Sequence, residues 1–206
     1  MAIILLVRHG ENEYTQKGKL AGWTPGVHLN DTGKAQSAAL AERLAPAPIK
    51  AIYSSPLARA LETAAPLAGL KALPIHKVEG VGEVRYGEWT GRSLKSLART
   101  RLWTVVQRRP SAMEFPGGET FRAVQARAVE AVDHIATAHP KDMVAVFSHG
   151  DVIKLILAFY LGTPLDLFQR IAIGTCSTSV IHLSRGTPMV LKMNETATDK
   201  NSLWAK

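Results

Sequence analysis

The sequence predicts an α/β domain whose ligand edge lies at the strand ends. Two observations carry this. Ala2 to Val7 is a continuous apolar run, Ala-Ile-Ile-Leu-Leu-Val, closed at once by Arg8-His9-Gly10-Glu11. Such a run reads as a strand buried on both faces. Met143 to Phe147, Met-Val-Ala-Val-Phe, repeats the pattern and is closed by Ser148-His149-Gly150-Asp151. Each strand thus ends in His-Gly, and the first carries an arginine beside its histidine. A cation next to an imidazole, with a glycine that lets the backbone approach closely, suits an anionic substrate.

The remaining elements follow in order. Glu11 to Gly33 is a polar, glycine-rich loop holding Gly18, Gly22, Trp23, Gly26 and His28. Asp31 or Thr32 is the expected N-cap of a helix over Ala35 to Leu44, ended by Ala45-Pro46. Ile49 to Ser54 is a strand. Ser54-Ser55-Pro56 then turns into a helix with Arg59 in its first turn, where a cation opposes the helix dipole. Local conflicts of this kind mark candidate functional sites. Leu73 to Val78 is a short strand. Gly80 to Gly91 is a structured, glycine-dense loop carrying Glu83, Arg85, Tyr86, Glu88 and Trp89. Leu94 to Val106 is expected as one amphipathic helix. Pro110 to Gly118 is a loop, and Pro116-Gly117-Gly118-Glu119-Thr120 leads into a long helix reaching about His139. Val152 to Leu161 forms an apolar helix. Ile171 to Ile173, Ser179 to Leu183 and Met189 to Met193 are expected as short late strands, and Ala197 to Lys206 as a polar, frayed tail.

Bulk properties bound the function. The 206 residues make one domain with no internal repeat or linker. Hydrophobic content of 46% and charged content of 20% are those of a soluble globular protein. No apolar run approaches the roughly 20 residues that span a bilayer, and the first strand lacks the charged lead of a secretory signal. One cysteine, Cys176, excludes an internal disulfide framework and fits a reducing, cytoplasmic compartment. The formal charge of +8 is spread along the chain, with short clusters only at Arg99-Thr-Arg101 and Arg108-Arg109. It favours an anionic small molecule; no nucleic-acid motif and no membrane segment appear.

Five motifs in order then carry a resemblance: Arg8-His9-Gly10-Glu11; Ser55-Pro56-Leu57-x-Arg59-Ala60; Glu83 with Tyr86-Gly87-x-Trp89-x-Gly91; Pro116-Gly117-Gly118-Glu119; and Ser148-His149-Gly150. From Ile3 to about Leu183 the chain resembles the histidine phosphatase superfamily, in its phosphoglycerate-mutase-like branch. It is most similar to a bacterial group of phosphomutase-like or broad phosphatases that share the surroundings Val152-Ile153-Lys154 and Leu167-Phe168-Gln169-Arg170. The resemblance implies a three-layer α/β/α sandwich with a mixed, mostly parallel sheet. A helical segment, about 94–139, would form a lid beside the pocket, and a homodimer is one expectation.

The resemblance also implies roles. A phosphate monoester repels nucleophiles, so cations must neutralise its oxygens. Arg8, Arg59 and a protonated His149 match the phosphate pocket. His9 matches the nucleophile that becomes phosphohistidine, and its second nitrogen should donate to a fixed acceptor. Glu83 matches the acid that protonates the leaving alcohol and then activates water; partial burial would raise its pKa. Thr15, Gly22, Gly150 and Tyr86 complete the expected phosphate- and substrate-binding set. No metal and no cofactor is implied. Two positions depart from the family pattern: Thr15 stands where an Asn is usual, and Ala21 where a Ser or Thr precedes Gly22-Trp23. Thr15 can still donate from its hydroxyl, whereas Ala21 cannot.

The expected activity is metal-independent phosphomonoester hydrolysis on a small phosphorylated metabolite. Mutase activity is the alternative, but Val84 and Leu94 stand where glycolytic mutases carry an Arg and a Lys; Arg108-Arg109 would be the substitute cations. A non-catalytic phospho-ligand-binding module is the alternative from another class. Tyr86, Trp89 and Trp23 are expected around the leaving group or, equally, in the core.

Overall fold

The computed structural model describes residues 2–183 and 187–196. Six strands are present among them: β1 (Ala2–Arg8), β2 (Ile49–Ser54), β3 (Ile75–Lys77), β4 (Met143–Ser148), β5 (Thr178–Leu183) and β6 (Met189–Glu195). The helices are α1 (Glu13–Gln16), α2 (Asp31–Leu44), α3 (Ala58–Lys71), α4 (Leu94–Leu97), α5 (Arg101–Arg108), α6 (Phe121–Ala138) and α7 (Gly150–Tyr160). The sheet order is β3-β2-β4-β1-β5-β6. The first four in that order run parallel; β5 and β6 are antiparallel to their neighbours. The fold is the expected α/β class with a mostly parallel mixed sheet.

Alternation along β1 builds three layers. Leu5 and Val7 join Leu40 and Leu44 of α2 and Ala64 and Leu67 of α3 in one apolar cluster. Ile4 and Leu6 join Val124, Ala128 and Val132 of α6 and Val152 and Ile156 of α7 in the other. Register then places the chemistry. Arg8 pairs with Ser148 across β1 and β4, and Ser54 pairs with Phe147 across β2 and β4. Three strand ends therefore stop level, and the turns after them (His9, Ser55 and His149) share one edge.

Several expectations change. The helix expected over Leu94 to Val106 is two helices. The Thr100 hydroxyl donates to the Leu97 carbonyl at 2.7 Å, ending α4, and Thr100 then starts α5. Of the segment 94–139 expected as a lid, α6 buries an apolar stripe (Val124, Ala128, Val132, Ile135) in the core cluster beside the sheet. The N-cap of α2 is Asn30, whose side chain accepts from Gly33 N–H at 2.8 Å, not Asp31 or Thr32. The strand expected at Leu73 to Val78 is only Ile75–Lys77. Ile171 to Ile173 form no strand: Arg8 takes the Ile173 carbonyl at 2.6 Å, and both neighbours of β1 are β4 and β5. The tail from Ala197 to Lys206 lies outside the described residues. Among the described residues, no helix is long and apolar enough to cross a membrane.

Candidate active site

A cavity of about 360 Å³ opens over the level strand ends. Arg8, His9, Thr15, Arg59, Glu83, Tyr86 and Gly150 of the expected set line it. His149 is fully buried beside it, its ring 5.1 Å from that of His9. One ring nitrogen of each histidine and a Glu83 carboxylate oxygen lie within 4.8 Å of one another. Such a trio could share a metal ion in other surroundings. Here Arg8 and Arg59 line the same cavity and oppose a further cation.

Backbone carbonyls hold His9 and Arg59, and side chains hold His149. His9 Nδ1 stands 2.8 Å from the Gly10 carbonyl. A carbonyl only accepts, so the proton is on Nδ1 and Nε2 carries a lone pair. Burial, then Arg59 and Arg8, hold the His9 pKa well below 6.5, so the ring is neutral. Gly10 is fixed in turn: its N–H donates to Thr63 Oγ1 of α3 at 3.0 Å. A Cβ on Gly10 would sit 2.8 Å from the Gly33 carbonyl oxygen, so only glycine permits this approach to α2.

Arg59 is 1% exposed, so it is not a solvated surface arginine. Its Nη2 donates to the Gly22 carbonyl at 2.9 Å and points to His149 Nδ1 at 3.3 Å. Arginine cannot accept, so His149 Nδ1 is the acceptor and Nε2–H donates to Ser55 Oγ at 2.8 Å. This corrects the expectation of a protonated His149. Burial, then Arg59, His9 and Arg8, push its pKa well below 6.5, and the ring is neutral in this pocket. Gly22 stands behind Arg59 rather than on the cavity wall, and adopts a left-handed φ of 51°.

Glu83 is 8% exposed, with Oε2 3.9 Å from Arg59 Nη2 and 3.6 Å from His149 Nδ1. Burial above all pushes its pKa up to about 7; Arg59 opposes this. Its carbonyl accepts from Trp23 Nε1 at 2.6 Å and Arg127 Nη2 at 3.0 Å. Of the two places expected for Trp23, the leaving-group pocket and the core, the first does not hold: it lies off the cavity and anchors Glu83. Arg127 also grips the Gly80 and Gly82 carbonyls and forms a 2.8 Å ion pair with Glu119. Glu119 Oε2 accepts from Arg85 N–H at 2.8 Å. That is what the Pro116-Gly117-Gly118-Glu119 motif does: it clamps the loop carrying Glu83.

The pocket's donors are under-used. Arg8 Nε, Arg59 Nε and Asn12 Nδ2 are buried without a hydrogen-bond partner, and all three residues line the cavity. Orphaned buried donors are costly, and an oxyanion would satisfy them. Asn12 was missed in the sequence, where it follows the His-Gly turn with no periodic signal; its Oδ1 caps α1 and leaves Nδ2 over. Thr15 lines the cavity, but its hydroxyl donates to the Asn12 carbonyl at 2.8 Å and accepts from Asn12 N–H at 2.9 Å. Arg108 and Arg109, the substitute cations of a mutase, are exposed and off the cavity. The outer wall is apolar: Leu94 of α4 and Trp103 and Val106 of α5 line it with Trp89, Phe115 and Phe121.

Comparison with known proteins agrees with this geometry. Residues 4–196 match the histidine phosphatase superfamily, branch 1. Over 201 residues the chain is 30% identical to phosphoserine phosphatase 1 of Hydrogenobacter thermophilus, covering 95% of this chain and 93% of that one. It is 32% identical over 189 residues to a metal-independent phosphoserine phosphatase of Arabidopsis thaliana, covering 87% and 76%. The solved structure of Bacillus stearothermophilus YhfR superposes with a TM-score of 0.89 at 29% identity, covering 95% of this chain and 98% of that one. With its motifs, its sheet and its paired histidines in the arrangement described, the chain belongs to the histidine phosphatase superfamily, branch 1.

Proposed function

We propose that the chain hydrolyses phosphomonoesters of a small metabolite without a metal, through a phosphohistidine at His9. The observation that carries this reading is the trio of unpartnered buried donors around a neutral, Nδ1-protonated histidine. Arg8, Arg59 and Asn12 bind the phosphoryl oxygens. His9 Nε2 attacks phosphorus while the ester P–O bond breaks, and Glu83 gives its proton to the departing oxygen. Water then attacks the phosphohistidine. Glu83 takes a proton from that water as the P–N bond breaks, leaving inorganic phosphate and neutral His9.

The pKa of about 7 supports both of Glu83's roles, since an acid that must also serve as base works best near ambient pH. A phosphoryl dianion beside His149 Nδ1 favours that ring's protonated form, against burial and the arginines. The mutase alternative loses support here. Val84 is buried in an apolar cluster and Leu94 presents a hydrocarbon chain to the cavity. The name of one relative points to phosphoserine as an ester to test first. The buried, high-pKa thiol of Cys176 suits a cytoplasmic setting.

The test is inorganic phosphate release in EDTA from a panel including phosphoserine, 3-phosphoglycerate and sugar phosphates. Release by the wild type that vanishes in His9→Ala, with an acid-labile phosphoenzyme trapped on the wild type alone, is the expected result. Release that survives in His9→Ala refutes the covalent route, and no release from any ester refutes hydrolysis.

A further inference from the structure

An anion stands in the wall of this anion-binding cavity. Asp151 lies in the first turn of α7, two residues past His149. Its Oδ2 accepts from Tyr86 Oη at 2.9 Å, and its Oδ1 lies 3.3 Å from Lys154 Nζ. Lys154 also donates to Gln169 Oε1 at 3.2 Å. These four residues and Glu83 line the same cavity. A helix dipole favours an acid in the first turn, but it does not ask for a tyrosine tether or a place on the wall.

We propose that Asp151 is a positioning residue of the reaction: its carboxylate, fixed by Tyr86 and Lys154, keeps the proton on Glu83 until the leaving oxygen takes it. This rests on the reading of Glu83 as proton donor. The titratable and charged groups facing Glu83 come from every element around it, Lys154 of α7 included. Arg8 and His9 come from the end of β1, Arg59 from α3, and Arg127 from α6. His149 caps α7, and Tyr86 shares the loop of Glu83. Arg8 and Arg59 draw the proton off; burial and Asp151 hold it on. Tyr86 does not compete, because burial and then the Asp151 and Glu83 charges push its own ionisation far up, leaving it a neutral donor. In the second step the same field makes the Glu83 carboxylate a better base toward water.

The experiment is the pH profile of kcat/KM for phenyl phosphate, with p-nitrophenyl phosphate as control. Phenol resembles the tyrosine side chain, with a pKa of about 10, and needs the proton; p-nitrophenol leaves with far less help. For Asp151→Asn on phenyl phosphate, the ratio of variant to wild-type rate falls about three- to tenfold between pH 5.5 and 8, a shift of about half to one pH unit. Lys154→Met removes the counter-charge and moves the alkaline limb the other way. Superimposable profiles, or a loss of the same size at every pH, overturn the proposal; a merely structural Asp151 gives the second. If Asp151→Asn fails to fold, Lys154→Met decides alone, and an unmoved limb overturns it. A wild type inactive on both esters refutes the phosphatase reading instead.

Discussion

Glu83→Gln should make the protein more stable and less active, and the stability gain should depend on pH. The carboxyl pKa rises from an ordinary 4.5 to about 7 on folding, chiefly because burial disfavours its charged form. The pull of Arg59 is already contained in that value. At about 1.4 kcal/mol per unit, ionised Glu83 costs the folded state about 3 kcal/mol. The sign follows from which state ionises first. Below about pH 4.5 both states are protonated and nothing is lost. As pH rises toward 7 the unfolded chain ionises first, so stability falls. Above about pH 7 the full cost is present. Glutamine keeps the size and the acceptor for Val84 N–H and never ionises. The variant should therefore match the wild type near pH 4.5 and exceed it by up to about 3 kcal/mol at pH 8. For a chain of this length that is roughly 6–12 °C in Tm. Thermal unfolding followed by circular dichroism at pH 5, 6, 7 and 8 reads the gap directly. A gap that does not grow with pH, or a wild type more stable at pH 8, refutes the assigned burial cost. Hydrolysis of alkyl phosphates by the same variant should drop about a hundred- to ten-thousandfold.

Three further outcomes follow. Sulfate, a dianion that does not titrate near neutrality, should draw Arg59 away from Glu83 and bind with proton uptake at pH 7.5; calorimetry in two buffers of different ionisation heat measures this, and Glu83→Gln should cut the uptake to the share taken by His149. Arg127→Met should loosen the Glu83 loop, costing about 2 kcal/mol in urea unfolding and at least tenfold in kcat, because three carbonyls and Glu119 lose a donor. Gly33→Ala should destabilise by about 2 kcal/mol or more, since its Cβ would meet the Glu11 carbonyl oxygen at 2.0 Å; an unchanged Tm would contradict the close approach of α2 to the His9 turn.

The centre of the site was legible because it is local. Strands that end in Arg-His-Gly and His-Gly announce themselves through one apolar run and one turn each, and the parallel register then brings them together. What surrounds the centre was not legible, because it depends on contacts between distant residues. Trp23 looks like a pocket aromatic until its indole is found 60 residues away on the Glu83 carbonyl. Thr15 looks like a free donor until its hydroxyl is found closing a capping box on Asn12. The charge of His149 depends first on burial, which no motif encodes, and then on the nearness of Arg59, Arg8 and Arg127. The split between α4 and α5 turns on a single hydroxyl, at a place where the periodicity runs on unbroken.

The place of β1 in the sheet has a consequence for synthesis. It lies between two strands that are made far later: Ile3 pairs with Met143 on one side and with His182 on the other. No neighbour exists for it until most of the chain has emerged, about ten seconds or more at bacterial or slower elongation rates. Through that interval an apolar, β-prone run stands unpaired, the kind of segment on which chains associate wrongly. His9, made with β1, acquires its setting only when β4 and His149 follow. A ribosome-bound chain stopped before residue 143 should therefore expose β1 to proteases and to chaperones, and one extended past 196 should protect it.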